Sequence, residues 1–229
     1  MKRIYSYGIA LCVYSLYRIL LHNETRVTTN VKRQAILDTA TRLFSLHGYH
    51  AVGIDRIVAE SGVAKMTLFR NFTNKNELIS EVLNQRAQTA LSSMANAVAT
   101  QSTPLARLKE LFAWHQRWFT ASDFSGCMFT SALSEFHSES GEIIRISTAQ
   151  KMHLRLFIQN LLLDLVPASS TESLARQIVM LLDGATLSAV AGDRENAAGD
   201  AWTATERLIV AMSTPIVNAE AKRPRGKQR

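Results

Sequence analysis

Residues 54–72 read IDRIVAESGVAKMTLFRNF, and a single glycine, Gly62, divides them into two stretches of helical spacing. Each stretch is only about two turns long, too short to hold as a helix without a scaffold. The first starts near Gly53 and offers Ile54, Ile57 and Val58 to a core, stopping at Ser61-Gly62. In the second, AKMTLFRN, Leu68 and Phe72 stand four apart and face inward with Val63, leaving Ala64, Lys65, Thr67, Phe69 and Arg70 on other faces. The segment is too polar for a core element and too apolar for a loop, so its neighbours decide its purpose.

Those neighbours supply a scaffold. Ile36, Leu37, Ala40, Leu43 and Phe44 form one stripe of an amphipathic helix, which His47-Gly48 ends with the usual left-handed cap residue. Asn74 with Glu77 three residues on has the spacing of a capping box. It opens a long helix whose buried stripe is Leu78, Ile79, Val82 and Leu83. Two short helices joined by a tight glycine turn, the second presenting polar residues outward, follow helix-turn-helix logic. A recognition helix must be bare on one side to enter a major groove about 12 Å wide. On this reading Lys65 and Arg70 reach phosphates or base edges, Thr67 donates to a phosphate, and Phe69 lies against a sugar or a thymine methyl. Lys75 adds a phosphate contact beside the backbone N–H groups of the next helix.

Across residues 36–83 the chain resembles the amino-terminal domain of the TetR/AcrR transcriptional regulators, in register and without gaps. The pattern is carried by Phe44, Gly48, Tyr49, Ile57, Gly62, Val63, Lys65, Thr67, Leu68, an aromatic at 69, Phe72, Lys75 and Leu78. The resemblance implies DNA contacts from Gly53, Arg56, Ala64, Lys65, Met66, Thr67, Phe69, Arg70 and Lys75. Four departures stand out. The family usually has Ser or Thr at Gly53, a small residue at Met66, Tyr at Phe69 and Pro-Ser at Thr73-Asn74. Gly53 forfeits a side-chain phosphate contact, Phe69 lacks the hydroxyl that would bond one, and the bulk of Met66 implies an unusual operator.

Composition agrees with an all-α chain. Of 229 residues 47% are apolar, only four are Pro and ten Gly, and no stretch alternates with period two for long. Charge is uneven. Residues 27–86 carry eight Lys/Arg against five Asp/Glu, residues 87–217 nine against twelve, and residues 218–229 five against one. A basic head on a mildly acidic body suggests a polyanion-binding end attached to a part with other work. Cys12 and Cys127 are far apart and form no CxxC or Cys/His cluster, so a reduced, cytoplasmic setting is expected. Residues 1–26 form an atypical apolar segment, uncharged from Ile4 to Tyr17 and interrupted by Arg18. It reads as a membrane anchor or signal (residues 4–21), as an extra helix, or as an untranslated stretch before a start at Val27.

The remaining chain reads as helices at roughly 75–98, 104–121, 126–138, 142–166, 171–190 and 195–219. The expected organisation is a helix-turn-helix DNA-binding domain at 27–86, an effector-binding and dimerisation domain at 87–217, and a basic tail at 218–229. In the TetR/AcrR fold such a body is a helical bundle that binds a small molecule and dimerises through its last two long helices. Gly184, Ala185, Ser188 and Ala189, with Leu208, Ile209 and Met212, are candidates for that contact. Trp114, Trp118, Cys127, Phe129, Phe136 and Met152 are candidates for a pocket taking an apolar, aromatic or cationic effector. His115, Glu135, His137 and His153 match no metal-ligand spacing, and no nucleophile–base set or phosphate loop stands out. The reading is a ligand-responsive repressor, homodimeric on a palindromic DNA operator, not an enzyme, with neither cofactor nor metal.

Overall fold

In the computed structural model, residues 31–136 and 141–213 are described, and among them all regular secondary structure is α-helical. The expected segment 1–26 and tail 218–229 lie outside the described residues, as does His137. The helices are α1 (Val31–His47), α2 (Ile54–Ser61), α3 (Lys65–Asn71), α4 (Lys75–Ala99), α5 (Pro104–Phe119), α6 (Met128–Glu135), α7 (Gly141–Leu162), α8 (Ala168–Val190) and α9 (Ala197–Ser213). No helix among the described residues is long and apolar enough to cross a membrane.

Two compact units emerge, and the division does not follow a single cut in the sequence. A head unit contains residues up to Ser92 together with Met128–Ser147, and a body unit contains Ser93–Cys127 and the residues from Thr148 on. The expected break at residue 86/87 falls inside α4, which runs unbroken from Lys75 to Ala99.

In the head unit, α1 packs on α2 and α3, and α2 on α3. The predicted stripe of α1, from Ile36 to Phe44, is buried throughout, and Leu78, Ile79, Val82 and Leu83 of α4 are fully buried. In α2 only Ile57 is fully buried, while Ile54 and Val58 are half-buried because a two-turn helix turns only one residue squarely inward. The capping box at α4 forms with one change. Asn74 Oδ1 accepts the Glu77 N–H at 2.9 Å, but Glu77 reaches back to the N–H of Thr73, at 2.6 Å, instead of that of Asn74. The side-chain hydrogen bond from Thr73, with this backbone bond, holds the Glu77 carboxyl below its usual range.

In the body unit, α9 packs along α8 and α5, and α8 also meets α5. Pro104 occupies the first turn of α5, whose N-cap Thr103 accepts the Ala106 N–H at 3.2 Å. Ala185, Ala189 and Ile209 are buried, Leu208 and Met212 half-buried, and Gly184 and Ser188 remain exposed. His115 is buried among Trp114, Trp118 and Phe119, with ring centroids 5.0–6.1 Å away. Its Nδ1 lies 2.8 Å from the Leu111 carbonyl. Burial pushes its pKa down to about 4, so the ring is neutral at ordinary pH.

Candidate nucleic-acid interface

The turn between α2 and α3 depends on Gly62, whose φ of 67° and ψ of 12° lie in the left-handed region. An added Cβ there would meet nothing within 4 Å, so the requirement for glycine is conformational and not one of space. The turn is also tied by Ser61, whose Oγ donates to the Val58 carbonyl and accepts from Val63 N–H, both at 3.4 Å. α3 then starts at Ala64, whose carbonyl takes the N–H of Thr67 at 2.8 Å and of Leu68 at 3.2 Å.

α3 is pinned by Leu68 and Phe72, both buried, and by Val63 before it. The opposite side is bare. Ala64, Lys65, Met66, Phe69 and Arg70 are exposed, with Met66 at 68% and Phe69 at 43%, while Thr67 is half-buried. The cations on and around this face differ in their commitments. Lys65 Nζ sits 2.6 Å from Asp55 Oδ1 on α2. Arg56 donates from Nε to Glu60 at 2.9 Å and from Nη2 to His47 Nε2 at 2.9 Å, and Arg42 donates to the same Glu60 at 2.6 Å. These two guanidinium groups hold the Glu60 carboxyl below its usual range. Arg70 makes no ion pair among the described residues. Gly53 is the N-cap of α2 without a side-chain bond, and it is open to solvent with nothing within 4 Å of an added Cβ.

Lys75 stands at the first position of α4, half-buried, with Nζ 3.4 Å from the carbonyl of His50. Desolvation lowers its pKa, and the nearby Glu135 carboxylate opposes that shift. Glu135 itself escaped the sequence reading of this site. Its carboxylate accepts the N–H of Tyr49 at 2.9 and 3.0 Å and of His50 at 2.8 Å, while His50 Nε2 lies 2.9 Å from its carbonyl. Tyr49 donates its hydroxyl to the Met128 carbonyl at 2.9 Å. Phe136 packs on the rings of Tyr49 and His50, with centroids 5.6 and 4.7 Å apart. α6 is thus fastened at both ends to the turn that follows α1. Gly48 permits the approach: its φ is 77°, and a Cβ there would come within 2.8 Å of Glu135 Oε1. No local spacing rule connects residues 86 positions apart, and the only sequence clue was a turn with backbone donors in need of acceptors.

The six effector-site candidates fall in different units. Trp114, Trp118, Cys127 and Met152 belong to the body unit, and Phe129 and Phe136 are buried in the head unit. Trp114 donates its indole N–H to Ser93 Oγ at 2.9 Å and packs on Trp118 at 5.9 Å. Met152 is exposed on α7, and Cys127 is half-buried.

This geometry has counterparts among known proteins. The family model for bacterial regulatory proteins of the tetR family matches residues 36–82. The HTH-type transcriptional regulator YxaF of Bacillus subtilis (strain 168) is 52% identical over 52 residues, which is 22% of this chain and 27% of that protein. The HTH-type transcriptional repressor ComR of Escherichia coli (strain K12) is 26% identical over 168 residues, covering 70% of this chain and 80% of ComR. Among solved structures, the TetR-family transcriptional regulator SCO4454 from Streptomyces coelicolor matches with a TM-score of 0.77 at 27% identity, over 82% of this chain and 92% of its own. With the helix-turn-helix in place and the likeness continuing through the body helices, the chain belongs to the TetR family of bacterial transcriptional regulators, which are DNA-binding proteins and not enzymes.

Proposed function

We propose that this chain is a cytoplasmic, ligand-responsive repressor that binds a palindromic operator as a homodimer and leaves it when a small effector occupies the body. The observation that carries the reading is the two-sidedness of α3, with Leu68 and Phe72 buried while Lys65, Met66, Phe69 and Arg70 are exposed. A two-turn helix held by its inner side and bare on its outer side is fit to enter a major groove. Gly53, Arg56, Ala64, Thr67 and Lys75 complete the proposed contact set. For Arg56 and Lys65 a phosphate has to compete with Glu60 and Asp55 respectively.

Dimerisation is proposed through α8 and α9. Their outer faces carry Met180, Leu187 and Val210 at 65%, 70% and 62% exposure, beside the exposed small residues Gly184 and Ser188. Apolar side chains this bare, seven residues apart on one helix face, favour a partner surface. An isologous contact would set two α3 helices about one DNA turn, roughly 34–36 Å, apart. The effector is proposed to bind in the body unit near the Trp114–Trp118 pair, with Cys127 and Met152 of the same unit as further candidates. It need only bind one of two head spacings more tightly than the other. The other proposed arrangement, tethering to a membrane by residues 4–21, falls outside the described residues.

Selection of bound fragments from genomic DNA by the purified full chain, at physiological salt, tests the reading. A recovered palindrome supports it, and salt-labile binding with no consensus would contradict it. Leu187→Glu should turn the dimer into monomer in sedimentation equilibrium. A variant that sediments like wild type would remove α8 from the interface.

A further inference from the structure

We infer that Met66 reads the C5-methyl group of a thymine on the floor of the major groove, so that each operator half-site contains one thymine recognised for its methyl and not for its hydrogen-bonding edge. The inference rests on the DNA-reading role of α3 and adds the chemistry of its central contact.

Successive side chains of an α-helix are set about 100° apart, which places Met66 about 160° around α3 from Leu68. Leu68 is fully buried, and Thr67 and Asn71 beside it are half-buried, so they define the inner side. Met66 therefore stands at the apex of the outer side, consistent with its being the most exposed large apolar residue of α3. Phe69 and Arg70 flank it at about 60° and 40°. Lys65 lies further round and is held back by Asp55. When such a helix enters a groove, its outermost side chain comes nearest the base edges, and its flanks meet the groove walls.

The chemistry of methionine then narrows what it can meet. A thioether has no N–H or O–H donor and is only a weak acceptor. Pressed on purine N7, on guanine O6 or on an exocyclic amine, it would strip water from a polar group without replacing the lost hydrogen bond. The thymine methyl is the one distinctly apolar group on the major-groove floor. Methionine is also flexible and polarizable enough to cover it without a fixed rotamer. Phe69 is the rival for the same methyl, but it lies off the apex and is less exposed.

The test uses duplexes recovered by selection with the full chain, in which each thymine is replaced singly by uracil. That exchange deletes the methyl and leaves every hydrogen-bonding group in place. Wild-type protein should lose about fourfold in affinity at one thymine per half-site, the worth of one buried methyl. M66A should be weaker overall and indifferent to uracil there, whereas M66L should keep the sensitivity. Because Met66 is 68% exposed, M66A should melt like wild type. The inference is overturned if no uracil exchange weakens wild type, if M66A remains as sensitive, or if F69A and not M66A abolishes the effect. Failure to recover any preferred duplex would bring down the DNA-reading role itself, whereas specific binding without methyl dependence would bring down this inference alone.

Discussion

Arg70 and Lys65 lie on one short helix and carry the same charge, yet they should not weigh equally. Arg70 is exposed with no ion pair among the described residues, whereas Lys65 gives up its bond to Asp55 when it meets a phosphate. Arg70→Ala should weaken operator binding by about 1–3 kcal/mol, with Lys65→Ala falling below it. Titrations of both variants at one salt concentration decide this, and a reversed order would misplace the outer face of α3. A second residue controls acid tolerance. His115 has its pKa lowered from 6.5 to about 4 by burial, so the unfolded chain takes up a proton that the folded chain refuses. Its contribution to stability is therefore complete above pH 6.5 and is lost as pH falls toward 4, amounting to about 2 kcal/mol between pH 7 and pH 5. Urea unfolding at the two pH values, compared with His115→Gln, isolates that share. An equal acid loss in the variant would show that His115 is not its source.

At the level of helices, α3 and α6 show what sequence can and cannot disclose. The anchors Leu68, Phe72 and Val63, the left-handed Gly62 and the Asn74–Glu77 cap were legible because each obeys a rule that spans at most four residues. The stripe of α1 was legible for the same reason. The body helices up to residue 190 were placed to within a few residues, since Pro104 and Pro167 mark starts or stops, whereas the expected end at residue 219 lies outside the described residues. What stayed hidden is long-range. Which unit Phe129 and Phe136 join could not be read from the sequence: both are buried in the head unit, where Phe136 packs on Tyr49 and His50. The ion pairs that occupy Lys65 and Arg56 were equally invisible, because Asp55 and Glu60 have no obligatory partner in a linear reading. The grip of Glu135 on the Tyr49–His50 turn gives the element-scale prediction. Glu135→Ala should destabilise the protein by about 2 kcal/mol, because two backbone donors lose a charged acceptor. Glu135→Gln should lose less, since its amide oxygen still accepts. Urea midpoints rank the three proteins, and an alanine variant as stable as wild type would show that the turn is held without Glu135.

For the whole molecule, the proposed homodimer would present two identical heads to one DNA duplex. TetR-family regulators bind DNA and typically dimerise and bind small effectors, so the questions specific to this chain are which operator and which spacing. The basic balance of residues 27–86 and the acidic balance of residues 87–217 suit a protein that approaches the duplex head first. The most direct measurement is a hydroxyl-radical footprint of the full chain on its selected operator, with the protein-to-DNA ratio measured on the same complex. Two chains per duplex and two equivalent protected patches on one face, centred about 34–36 Å apart, are expected. A single protected patch, or uniform protection with no fixed position, would contradict the two-headed regulator proposed for this chain.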